Sequence, residues 1–85
     1  MYNEGDLKII NVIGQGYIGL PTALMFAKSG VKVVGTDYNE KLIRSLQNGQ
    51  LTFEEEGLEE LFKEALSNGI KFTTEYQKTD TYIIS

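Results

Sequence analysis

The sequence predicts an α/β fold in which a parallel sheet of three to four strands is joined by helical crossovers. Three observations carry that expectation. Short, β-branched apolar runs alternate with stretches of helical spacing, the pattern of βαβ units. The first run leads straight into a glycine cluster that opens a helix. The second run ends on an acidic residue.

The elements follow in order. Residues 1–6 are polar and are expected to fray. Leu7 to Ile13, with Ile9, Ile10, Val12 and Ile13, reads as a strand buried on both faces. After the glycines, Leu20, Leu24 and Ala27 share one helix face, and Pro21 suits a first turn, where its missing N–H is not needed. Lys28 falls in the last turn and Gly30 just beyond it, as a helix end prefers. Val31 to Thr36 is a second strand, ending at Asp37. Asn39 is placed to cap a helix striped by Leu42, Ile43 and Leu46 and stopped by Asn48-Gly49. Leu51 to Glu56 is a loop. Leu58, Leu61, Phe62, Ala65 and Leu66 mark a third helix, and Ile70 to Phe72 a short third strand. Glu75 to Thr79 leaves room for about one helical turn before a fourth strand begins at Tyr82-Ile83-Ile84. That strand stops in mid-pattern, so the chain is expected to be the front piece of a longer protein, residues 1–85 forming a truncated N-terminal domain.

Composition narrows the function classes. With 85 residues the chain holds one small domain, burying roughly 60–65% of its unfolded surface. A net charge of −4 argues against nucleic acid and anionic membranes as partners. Cysteine and histidine are both absent, which removes disulfides, thiolate nucleophiles, imidazole bases and the usual zinc ligands. No catalytic residue and no metal site is expected. No apolar run approaches the roughly 20 residues that span a bilayer, and Met1 to Lys8 lacks a signal-peptide core, so the default location is the cytoplasm.

The chemistry lies in Gly14-Gln15-Gly16-Tyr17-Ile18-Gly19. Its context is a strand before it, a helix after it, and an acid at the end of the next strand about 20 residues on, the dinucleotide-binding fingerprint of a partial Rossmann fold. Gly14 permits the tight turn out of the strand. Gly16 lets the backbone approach a pyrophosphate, and Gly19 lets the helix pack close to the sheet. The N–H groups of Tyr17 and Ile18 sit at the helix start, where the dipole favours an anion. Asp37 can accept both adenosine-ribose hydroxyls and would repel a 2′-phosphate, so NAD is the expected cofactor. An equally plain reading of Asp37 alone is a cap on the turn into the Asn39 helix.

Other residues have ordinary readings beside sharper ones. Glu54-Glu55-Glu56 can be a metal or acid–base cluster, but a solvated acidic run ahead of a helix N-terminus is the simpler account. Tyr17 can stack on the cofactor or cover the sheet edge. Met25 and Phe26 suit the core or a subunit contact. Glu59 and Lys63 make an i, i+4 surface pair.

These residues resemble the UDP-sugar dehydrogenases. The likeness rests on Gly14-Gln15-Gly16-Tyr17-Ile18-Gly19-Leu20-Pro21-Thr22-Ala23, on Val33-Val34-Gly35-Thr36-Asp37-Tyr38-Asn39, on Leu46-Gln47-Asn48-Gly49, and on Glu55-Glu56-Gly57-Leu58, where Glu56 stands in place of the family's proline. Asp80-Thr81-Tyr82-Ile83-Ile84 resembles the strand before the family's Val-Pro-Thr-Pro loop. The Gly-Tyr-Ile-Gly-Leu-Pro-Thr wording is nearer the UDP-N-acetylmannosamine branch than the UDP-glucose branch. The resemblance implies a two-step, NAD-dependent oxidation of a UDP-sugar C6 alcohol to a carboxylate, with Tyr17, Ile18 and Asp37 at cofactor positions. It also implies a catalytic cysteine and a sugar site in later segments, which these residues do not include. Some members carry a basic residue five positions after the ribose acid; here Leu42 stands there, beside Lys41.

Two other readings differ in class. One is a stand-alone nucleotide-binding or regulatory module without catalysis. The other is a self-associating piece, because a short 75–79 crossover cannot cover a sheet face and the fourth strand would be an open edge.

Overall fold

The computed structural model describes residues 9–84. The expected fraying of residues 1–6, the Leu7 start of the first strand, and Ser85 lie outside the described residues.

Among the described residues, four strands and three helices form, in the order β1 (Ile9–Ile13), α1 (Gly19–Lys28), β2 (Lys32–Thr36), α2 (Glu40–Gln47), α3 (Leu58–Ser67), β3 (Lys71–Thr73) and β4 (Thr81–Ile84). The strands are all parallel and lie in the order β3-β2-β1-β4. Register runs from Ile9↔Lys32 to Ile13↔Thr36 between β1 and β2, and from Ile10↔Thr81 to Ile13↔Ile84 between β1 and β4. The strand order reverses beside β1, and in open α/β sheets ligands bind outside the carboxyl ends of the strands at that switch point.

Strand side chains alternate between faces, and here the two faces differ. Val12, Val33 and Phe72 point into one apolar cluster with Leu20, Ala23, Leu24 and Ala27 of α1, Ile43 and Leu46 of α2, and Leu58, Phe62 and Ala65 of α3. All three helices therefore cover the same face. The ends of α1 and α3 are tied by Asn68 Nδ2, which donates to Ala27 O at 2.9 Å. The opposite face carries Ile9, Asn11, Ile13, Val34, Thr36, Tyr82 and Ile84.

The helical turn expected within 75–79 does not form. Residues 74–80 run without helix or strand across the second face. Gln77 O accepts from Asn11 Nδ2 at 3.1 Å, Tyr76 stacks on Tyr82 at 5.5 Å between ring centroids, and Asp80 Oδ2 accepts Ile9 N–H at 3.0 Å. Crossover handedness explains the route. The chain moves outward from β1 to β3 with helices on one face, so a right-handed return from β3 to β4 must use the other. Asn11 is fully buried, and its Oδ1 accepts from Thr36 Oγ1 at 2.6 Å, which satisfies both ends of the amide.

Candidate functional site

The site is assembled where β1 and β2 end. Gly14 leaves β1 with φ +95°, a conformation that a side chain would strain, and its N–H donates to Thr36 O at 2.7 Å. This bond holds the turn against the end of β2. Gly16 follows in a bend, and Tyr17 and Ile18 complete the turn into α1. Gly19, the first residue of α1, is buried, as close helix–sheet packing requires.

The three helices begin differently. α2 is capped by Asn39, whose side chain accepts Leu42 N–H at 3.1 Å, and has Glu40 in its first turn. α3 has Glu59 and Glu60 in its first turn. α1 has neither a side-chain cap nor an acidic residue there. No acceptor among the described residues takes the N–H of Gly16, Tyr17 or Ile18. Unpaired donors at the positive end of a helix dipole attract an anion. A Cβ at Gly16 would meet nothing within 4 Å, so the space above the loop is free for a group that approaches the backbone closely.

Asp37 makes the turn contact expected of it and a second bond that the sequence did not foresee. Its Oδ1 accepts Asn39 N–H at 2.9 Å, which shapes the turn into α2. Its Oδ2 accepts Gln15 N–H at 2.9 Å, which reaches back to the glycine loop. A carboxylate has about four lone-pair sites, so about two remain for hydroxyl donors from the cavity. That cavity, of about 610 Å³, is lined by Gly14, Gly16, Tyr17, Ile18, Gly19 and Asp37, together with Tyr38, Asn39 and Leu42. All six expected site residues are thus brought together in one place. An NAD diphosphate fits the unpaired N–H groups and the clear approach to Gly16, and a ribose fits the free side of Asp37.

The structure also places the other residues that the sequence singled out. The Tyr17 ring lies on Phe53, 4.7 Å between centroids at 47°, so it bridges the glycine loop to the segment after α2. Glu54, Glu55 and Glu56 are exposed. They line a separate cleft of about 750 Å³ with Glu59 and Glu60, whose five carboxylates oppose a phosphate. No group of three or more acidic side chains among the described residues is arranged to hold a metal ion. Met25 is exposed on α1, while Phe26 packs against the core. Glu59 and Lys63 pair at 3.9 Å on the surface. No helix among the described residues is long and apolar enough to cross a membrane.

Sequence reasoning missed Gln15 and Gly35. Gln15 is fully buried. A Cβ at Gly35 would lie 2.7 Å from its Oε1 and 2.8 Å from Phe72 Cδ1. A glycine inside the β-branched Val33–Thr36 run was the available signal, since it marks a close approach. Gln15 gave none, because it fills a variable place in the fingerprint.

Comparison with known proteins agrees with this geometry. Residues 8–85 match the UDP-glucose/GDP-mannose dehydrogenase family, NAD binding domain. A UDP-N-acetyl-D-mannosamine dehydrogenase of Methanococcus maripaludis is 49% identical over 80 residues, which are 93% of this chain and 19% of that protein. The solved UDP-N-acetyl-mannosamine dehydrogenase of Staphylococcus aureus superposes with a TM-score of 0.86 at 50% identity, over 91% of this chain and 19% of that one. A UDP-glucose dehydrogenase from Pyrobaculum islandicum gives a TM-score of 0.86 at 33% identity, over 100% of this chain and 21% of that one. The chain spans about a fifth of the length of the curated relatives it matches.

Proposed function

The chain belongs to the UDP-glucose/GDP-mannose dehydrogenase family as its NAD-binding domain, and from that membership we propose that residues 1–85 are the N-terminal, cofactor-holding part of a nucleotide-sugar dehydrogenase of the UDP-N-acetylmannosamine type. The observation that carries the reading is the convergence of the uncapped α1 N-terminus and the Asp37 carboxylate on one cavity. The N–H groups of Gly16, Tyr17 and Ile18 receive the diphosphate. Asp37 accepts the adenosine-ribose hydroxyls and its charge disfavours a 2′-phosphate. Tyr38 and Leu42 supply apolar wall beside the adenine.

When bound, NAD supplies the hydride acceptor for oxidation of a sugar C6 alcohol to a uronic acid. The chain orients that acceptor and does nothing further to the sugar. It contains no cysteine, so the thiol nucleophile that the family resemblance implies is supplied by residues outside it. The UDP-sugar is accordingly a partner of the complete enzyme only. A cytoplasmic setting suits a cysteine-free domain that takes NAD. A second copy of the chain is the partner we assign to the helix-free face and the open β4 edge, with Ile84 exposed there.

Calorimetry tests the cofactor assignment. The 85-residue chain takes up NAD, and Asp37→Ala weakens uptake at least about tenfold, since it removes the ribose acceptor and frees the Gln15 N–H. Absence of NAD uptake by a folded sample would remove the reading.

A further inference from the structure

One buried polar group has no part in the cofactor contacts above. Gln15 lies directly beneath the phosphate-binding turn and is 0% exposed. Its Nε2 donates to Val12 O at 2.7 Å and to Gly14 O at 3.2 Å. Those two carbonyls stand on either side of the step from β1 into the turn. Its backbone N–H is held by Asp37 Oδ2 at 2.9 Å. One residue therefore ties three points together: the end of β1, the glycine turn and the end of β2.

The direction of the carboxamide follows from these bonds. Both acceptors are carbonyls, so the NH₂ group must face them. Oε1 then faces Gly35 and has no donor among the described residues. A Cβ at Gly35 would lie 2.7 Å from Oε1 and 2.8 Å from Cδ, nearer than real Cβ contacts come. The carboxamide fits because position 35 has only hydrogen on that side. A leucine or methionine could fill the same volume without an orphaned oxygen, but neither could hold the two carbonyls.

We propose that Gln15 is a positioning residue for the nucleotide site, a buried strut that pins the Gly14–Gly16 turn so that its N–H groups stay aimed at the diphosphate, with Gly35 supplying the room it needs. The proposal rests on the cofactor assignment above for its functional consequence, though the strut itself can be measured without ligand.

The test uses the full 85-residue chain and Gln15→Met, which keeps the length of the side chain and removes both donors. Melting, ligand affinity and amide exchange are read together. Gln15→Met melts within a few degrees of the parent, binds NAD and ADP about tenfold more weakly, binds adenosine unchanged, and exchanges the hydrogen-bonded Gly14 and Gln15 backbone amides of the turn faster. Equal loss for adenosine, unchanged NAD affinity in a binding-competent parent, or unchanged exchange overturns it. If the parent takes up no NAD, the cofactor assignment fails and exchange alone decides the strut. A measurement on the unaltered chain covers a variant that does not fold. The Gln15 side-chain amide protons are protected from exchange in its NMR spectrum, and solvent-averaged protons there overturn the proposal equally.

Discussion

At the scale of single residues, the site depends on what is left unfilled. Gly16 adopts a backbone conformation open to other residues, and a Cβ there would touch nothing in the chain. Its value is the space it leaves beside unpaired N–H groups. Gly16→Val is therefore expected to change stability by no more than about 0.5 kcal/mol, as at other surface positions. The same change puts three carbons where the diphosphate approaches, and NAD affinity falls at least about tenfold. Thermal melting and calorimetry on one sample separate the two effects. Asp37 works in the opposite way, through what it already holds. Its bonds to Gln15 and Asn39 fix the carboxylate before any ribose arrives, which reduces the ordering needed on binding.

At the scale of elements, each helix start matches its task. Asn39 and Glu40 satisfy the N-terminus of α2, which leaves it a structural helix. Asn39→Ala removes the side-chain acceptor of Leu42 N–H and keeps the backbone N–H that Asp37 binds. A loss of about 1 kcal/mol is expected, or roughly 4–8 °C in the melting midpoint for a domain of this size, with NAD affinity nearly unchanged. A melt with NAD titrated in checks both halves. The uncapped start of α1 has no such bonds to lose, and bound diphosphate is the partner that would complete it.

At the scale of the whole molecule, the sheet is covered unequally. Among the described residues, three helices pack on one face, while a single irregular segment crosses the other. Asn11, Val34 and Thr36 are buried on that second face, but Ile84 is 79% exposed and Tyr76 is 67% exposed. The β3 and β4 edges are also unpaired among the described residues. Association of copies through this side is expected to rise with concentration in sedimentation. Ile84→Lys puts a charge on the exposed apolar position and shifts the profile toward monomer. A monomeric parent at high concentration contradicts the assignment.

Much of the architecture was legible because it depends on local patterns. The β-branched runs mark the strands, the i, i+4 apolar spacing marks the helices, and Asn39 and Gly30 mark their limits. The meeting of the glycine fingerprint and Asp37 at one cavity was legible because their spacing reflects one fixed supersecondary unit. Segment 75–79 was misread because handedness, a property of the sheet as a whole, sends that connection to the far face without a helix. Tyr17 could not be placed, since its partner Phe53 lies 36 positions away by number and meets it only in space. The same holds for Gln15 beneath Gly35, whose close approach exists only once β1 and β2 lie side by side. The sequence by itself marked the strands and the three helices, the glycine turn and the acid at the end of β2, through periodicity and backbone demands that act over a few residues. Only the tertiary structure decided what supports that turn and which sheet face the β3–β4 connection crosses, because both follow from packing between segments distant in the chain.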